Sequence, residues 1–147
     1  MSKTKVLFLC TSNSARSQMA EAFLRKYAGE QFEAFSAGLE PGNIHPYTRQ
    51  TMNEIGLDLT GQSSKSVTEY LGKFHFGYLI TVCARAEKNC PTVFPGISQR
   101  LHWNFEDPAA FVGSESEKLA TFRIVRDQIG ARIQAWLVEQ GVNHAQN

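Results

Sequence analysis

The chain has 147 residues, of which 42% are hydrophobic, 11% aromatic and 20% charged, enough for one domain with a real core and too little charge for a disordered polymer. Fifteen Lys+Arg against fourteen Asp+Glu leave a formal charge of +1. The chain as a whole is therefore no polyanion binder, and any positive potential offered to a ligand has to be local. The longest apolar stretches, Val6–Cys10 and Tyr78–Cys83, fall far short of the roughly 20 residues a bilayer span needs. Met1–Lys5 is polar and runs straight into an apolar segment, leaving no room for a signal peptide, so a cytoplasmic location is expected, with neither nucleic acid nor membrane as partner.

Lys5–Cys10 is a short run of β-formers, as in a buried parallel strand. Thr11–Arg16 is small and polar, hence a loop. From Ser17 the pattern turns helical, with Met19, Phe23 and Tyr27 repeating at four and Gly29 where a cap belongs. Phe32–Ser36 reads as a second strand ending at Ala37-Gly38. Pro46 opens a helix that carries Met52 and Ile55 and ends at Gly56. Val67–Leu71 suits a short helix, Phe76–Val82 a third strand, Arg100–Trp103 a short last strand and Phe105–Pro108 a loop. Ser114-x-x-Glu117 is a capping box for a long terminal helix. Its apolar face runs Leu119, Phe122, Val125, Ile129, Ile133 and Trp136; the tail Asn143–Asn147 is expected to fray.

This alternation predicts an α/β fold: a single-domain three-layer sandwich, residues 1–147, with a central four-stranded parallel sheet and helices on both faces. Ligands of such sheets bind beyond the carboxyl ends of the strands. Cys10, Cys83 and the Phe105–Pro108 loop all follow strands and can meet there.

Three cysteines, Cys10, Cys83 and Cys90, offer neither a C-x-x-C pair nor a nearby His cluster, so no metal site is expected. Cys10-Thr11-Ser12-Asn13-Ser14-Ala15-Arg16-Ser17 is a Cys-x5-Arg loop between a strand and a helix. Wrapped at a helix N-terminus, it turns backbone N–H groups inward and adds the partial positive charge of the helix dipole, a seat for a tetrahedral oxyanion. Small residues let the backbone close around the anion, and the planar fork of Arg16 grips two of its oxygens. The same field predicts a lowered thiol pKa and a nucleophilic Cys10, with Ser17 donating to the sulfur and Asn13 as the left-handed or loop-bracing residue. On residues alone, Cys83 and Cys90 remain open between inert and reactive thiols, and Asp107-Pro108 between a turn and an acid. His45, His75, His102 and His144 lack ligand spacing and read as structural or surface residues; Trp103 and Trp136 fall on the core pattern.

Val6–Glu21 resembles the phosphate loop and first helix of the low-molecular-weight protein tyrosine phosphatase superfamily. Ser36-Ala-Gly38, His45-Pro46, Cys83, Cys90 and Glu106-Asp-Pro-Ala109 narrow the resemblance to the thioredoxin-coupled arsenate reductases, over nearly the full length. The resemblance implies reduction of arsenate to arsenite by three thiols: Cys10 attacks arsenate, Cys83 displaces arsenite and forms a disulfide with Cys10, and Cys90 takes that disulfide over for thioredoxin. Asp107 matches the superfamily's general acid. No cofactor is implied beyond reducing equivalents from thioredoxin; phosphate and sulfate are expected as competing anions and the chain as a monomer. Were Ala84–Cys90 helical, Cys83 and Cys90 would be separated by roughly 10 Å of rise, beyond disulfide reach, so the segment has to loop or unwind when oxidised. Some members bind potassium near the loop; here Lys65 stands where their carboxylate would be, an ammonium in place of a cation, and none is expected. Two other readings are a phosphatase needing only Cys10, Arg16 and Asp107, and a non-catalytic redox or oxyanion sensor.

Overall fold

A computed structural model describes residues 3–70, 72–89 and 96–142. Cys90, Leu71, Pro91 and the tail 143–147 lie outside the described residues. The chain runs β1 (Thr4–Cys10), α1 (Arg16–Ala28), β2 (Phe32–Gly38), α2 (Pro46–Asn53), a 3-10 turn at Val67–Glu69, β3 (Phe76–Thr81), α3 (Ala84–Asn89), β4 (Ile97–His102), a second 3-10 turn at Pro108–Ala110 and α4 (Glu115–Glu139). The four strands form one parallel sheet in the order β2-β1-β3-β4. Because β1 is flanked by β2 on one side and β3 on the other, the strand order reverses at its carboxyl end, where a ligand crevice opens. Cys10 is the last residue of β1.

Val6, Leu7, Phe8 and Leu9 are wholly buried, as a central strand covered on both faces requires. On β2, Phe32 and Phe35 are three residues apart and point to opposite faces. Phe32 meets Trp136 of α4, while Phe35 meets Tyr70 and Phe74. Trp136 also packs against Trp103 and Tyr78. The predicted face of α4 is buried throughout, and both hydrogen bonds of the Ser114/Glu117 capping box form.

The differences from the sequence reading lie at element ends. β4 starts at Ile97, three residues earlier than the apolar run suggested. It is the edge strand, paired only with β3, so Ser98 and Gln99 are tolerated in it. α2 stops at Asn53, and Gly56 turns the chain with φ +79°. Gly29 ends α1 in right-handed helical conformation, not the left-handed one of a glycine cap. The short helix expected from Val67 is a single 3-10 turn capped by Ser66. α3 is helical up to Asn89.

Candidate active site

The loop after β1 is held by its carbonyls. Those of Cys10, Thr11 and Ser12 accept from the backbone N–H groups of Leu39, Glu40 and Gly42, and that of Ser14 from His45. Ser64 and Thr48 add hydroxyl bonds at 3.0 Å to the Ser12 and Ser14 carbonyls, and Gln18 donates to that of Asn13. With the carbonyls engaged by the surrounding shell, the N–H groups of the same peptides face the opposite way, into the concavity. α1 begins at Arg16 behind Ala15, whose methyl supplies no capping bond, so the first-turn N–H groups also face the cradle. Gly38 makes this closeness possible: a Cβ there would lie 2.8 Å from the Thr11 carbonyl oxygen and 2.9 Å from the Asn13 nitrogen.

Asn13 is the one non-glycine residue with positive φ among the described residues, at +54°, as its place in the loop predicts. Its backbone N–H donates to the Cys10 sulfur at 3.2 Å, and its side-chain amide donates to the Ser17 hydroxyl at 2.7 Å. That hydroxyl lies 2.8 Å from the Cys10 sulfur. Ser12 and Ser14 share a hydroxyl contact of 2.9 Å at the mouth of the loop.

The balance on the thiol differs from the expectation. Burial pushes the Cys10 thiol up from its ordinary value; Ser17 hydrogen bonding and the Arg16 charge pull it down without prevailing, and Cys83 adds to the rise. The sequence revealed the stabilising donors but not the burial of Cys10, which disfavours the charged form.

Arg16 donates to the Phe105 carbonyl at 3.0 Å, and its guanidinium stands 3.8 Å from the Asp107 carboxylate. The loop after β4 is thereby tied to the cradle. Asp107 also caps the 3-10 turn, accepting from the Ala109 N–H at 3.0 Å. Its side chain is half exposed. Cys83 follows β3 and is buried; its sulfur is 3.5 Å from the Thr11 hydroxyl and accepts from the Ala86 N–H. Thr11, Ser12, Arg16, Cys83, Arg85 and Asp107 line one cleft of about 350 Å³. Cys10 and Cys83 are free thiols. Of the predicted site residues, only Cys90 falls outside the described residues.

Lys65 bonds through both its backbone and its side chain. Its backbone N–H donates to the Asn13 amide oxygen at 2.9 Å and its ammonium points to the Ser63 carbonyl. The cation paired with buried Glu21, which also accepts from Ser36, is Arg25. Among the described residues no group of three His, Cys, Asp or Glu could hold a metal, and no helix is long and apolar enough to cross a membrane. His45 caps α2 by accepting from the Tyr47 N–H at 3.0 Å, a structural role as read.

Sequence reasoning missed Gln18, fully buried against Asn13. A signal existed: Gln18, Glu21 and Arg25, spaced three and four apart, form a polar stripe on a helix whose other face is apolar.

Residues 5–147 match the family described as low molecular weight phosphotyrosine protein phosphatase. The chain is 41% identical to an arsenate reductase of Halalkalibacterium halodurans over 92% of this chain and 96% of that one. It superposes on the solved structure of an arsenate reductase in the oxidised state with a TM-score of 0.76 at 31% identity, covering 92% of this chain and 98% of that one. It also resembles the thioredoxin-dependent arsenate reductase of Corynebacterium glutamicum, with a TM-score of 0.60 at 29% identity, covering 90% of this chain and 63% of that one.

Proposed function

The chain belongs to the low molecular weight phosphotyrosine protein phosphatase family, on the side of its arsenate reductases, and from that membership we propose that it reduces arsenate to arsenite with three thiols and thioredoxin. The inward N–H groups of residues 11–16 and the Arg16 guanidinium hold the oxyanion. The Cys10 thiolate attacks arsenic, and an oxygen leaves as water with a proton from Asp107. Cys83 then attacks the Cys10 sulfur. The electron pair of the sulfur–arsenic bond departs with arsenic as arsenite, and a Cys10–Cys83 disulfide remains. Cys90 attacks Cys83, freeing Cys10, and the dithiol of thioredoxin reduces the Cys83–Cys90 disulfide. Each turnover thus moves two electrons from thioredoxin to arsenic.

The observation that carries this reading is the second thiol at the rim of the cradle, with the Cys83 sulfur 3.5 Å from the hydroxyl of the residue after Cys10. Hydrolysis of a phosphoester needs one thiol and water; a two-electron reduction needs a second thiol within reach of the first. α3 separates Cys83 from position 90 by a helix of six residues, so the transfer between them requires α3 to unwind.

NADPH oxidation in the presence of thioredoxin, thioredoxin reductase and arsenate tests the proposal on the wild type and on Cys83→Ser. Consumption that depends on arsenate and disappears in the variant is the expected result. A wild type that consumes no NADPH, while both proteins hydrolyse p-nitrophenyl phosphate, would establish a phosphatase instead.

A further inference from the structure

Gln18 is the first link in a longer buried series that ends at a surface cation. Arg25 donates to the Gln62 amide oxygen at 2.9 Å, and the Gln62 amide nitrogen donates to the Gln18 amide oxygen at 2.7 Å. The Gln18 nitrogen donates to the Asn13 amide oxygen at 2.9 Å, and the Asn13 nitrogen donates to the Ser17 hydroxyl at 2.7 Å. Ser17 in turn lies 2.8 Å from the Cys10 sulfur. Gln18 and Asn13 are wholly buried and Gln62 is 9% exposed.

The direction of every amide is fixed by a neighbour that has only one role. The guanidinium of Arg25 only donates, so the atom of Gln62 facing it is the oxygen. The Gln18 nitrogen is also 3.1 Å and 3.0 Å from the carbonyl oxygens of Asn13 and Ser63, which only accept. The backbone N–H of Lys65 donates to the Asn13 oxygen, which leaves the Asn13 nitrogen to face Ser17. Ser17 therefore accepts from Asn13, and its single proton is left for the sulfur.

We propose that Arg25, Gln62 and Gln18 are positioning residues: a one-directional donor chain that holds Asn13 and turns the Ser17 hydroxyl proton onto the Cys10 sulfur. Each amide in such a row polarises the next in the same sense, so the row favours negative charge at the end remote from the cation. Arg25 directs one side of its guanidinium to Glu21 and the other to Gln62. The other charged and titratable groups facing the sulfur are Arg16 of α1 and Cys83 after β3, with Asp107 set against Arg16. None of these belongs to the chain, so its contribution can be separated from theirs.

The inference rests on the reading of Cys10 as the attacking thiol, and it is tested without arsenate. Iodoacetamide alkylation of Cys10, followed at the level of its peptide by mass, is measured against pH in the full-length wild type, Gln62→Glu, Gln62→Met, Arg25→Met and the double variant of Arg25→Met with Gln62→Met. The carboxylate introduced by Gln62→Glu would still accept from Arg25 but would set a second acceptor against the Gln18 amide oxygen, breaking that link. The alkylation midpoint is expected to rise by about half a pH unit in Gln62→Glu, a loss of about threefold in rate at neutral pH, and by less in Gln62→Met. The double variant is expected to match Gln62→Met alone, because Arg25 acts through Gln62. Thermal midpoints are recorded alongside; a purely structural Gln62 would lower them and leave the pH midpoint in place. An unchanged pH midpoint in Gln62→Glu, or in Gln62→Met should the former not fold, overturns the proposal. So does full additivity of the Arg25 and Gln62 effects. A shifted midpoint in a protein that reduces no arsenate would overturn the proposed activity and leave the donor chain standing.

Discussion

The Cys83 sulfur and the Thr11 hydroxyl are 3.5 Å apart although 72 residues separate them in sequence. Thr11 thereby ties the second thiol to the loop that carries the first. In Thr11→Val the shape is kept and the hydroxyl lost, removing a hydrogen bond of about 1 kcal/mol, worth about fivefold in an equilibrium or a rate. Single-turnover release of arsenite is expected to slow by about that factor. Oxyanion binding, measured as protection of Cys10 from alkylation by phosphate, is expected to stay unchanged.

Gly38 ends β2 directly against the cradle. A methyl group there would stand 2.8–2.9 Å from three backbone atoms of Thr11, Ser12 and Asn13, none of which can move without opening the loop. Gly38→Ala is expected to cost about 1–3 kcal/mol in urea unfolding, as overpacking does. Phosphate protection of Cys10 is expected to weaken by more than tenfold, since the inward N–H groups are displaced together. Equal protection in wild type and variant would count against the cradle as the anion seat.

Asn13 combines a left-handed backbone with two side-chain roles, on Ser17 and on the Lys65 N–H. Asn13→Ala and Asn13→Gly both lose the side-chain bonds, but only the alanine suffers the left-handed strain of about 1 kcal/mol. Denaturant unfolding should place Asn13→Ala below Asn13→Gly by about that amount, despite the usual entropic disadvantage of glycine. The two variants should share one raised pH midpoint for Cys10 alkylation.

The Cys10 thiol is held above its ordinary value by burial, against the pull of Ser17 and Arg16. Alkylation in the anion-free protein should therefore still be rising as pH passes the ordinary thiol value of 9.0. Ser17→Ala removes an opposing influence and should push the curve further up. A thiol that keeps its proton longer when folded contributes its stability fully below the unfolded value and loses it as pH rises through the folded one. A curve with its midpoint near neutrality would contradict this balance.

His45 is pushed the other way. Burial lowers its imidazole below the ordinary value of 6.5, with Asp107 opposing and Lys118 assisting. The ring must stay unprotonated on Nδ1 to accept from Tyr47. Its contribution to stability is thus complete above pH 6.5 and declines as pH falls through the lowered folded value. His45→Asn, which caps without titrating, should flatten the fall in thermal midpoint between about pH 7 and pH 5.

Much of this could be read from the chain alone. Cys10-x5-Arg16 between an apolar run and a helical period determines a strand, a loop and a helix start, because those signals are local and periodic. The Ser114/Glu117 box and the buried face of α4 follow from spacing for the same reason. Strand alternation with helices determined the parallel sheet, and with it the edge at which Cys10, Cys83 and Asp107 meet.

Other features had no local signal. β4 begins at Ile97 because an edge strand needs only one partner, a fact of sheet order and not of hydropathy. The Cys10 thiol is raised because the fold buries it, and burial is a sum over elements remote in sequence. Arg25 meets Glu21 because α1 places residues four apart on one face, and Lys65 turns its backbone N–H to Asn13 through a contact made across the fold. The orientation of the Ser17 proton was decided last and only in three dimensions. It depends on which end of each of three buried amides faces its neighbour, and those ends are fixed by a guanidinium, two carbonyls and an N–H that the tertiary fold alone brings together.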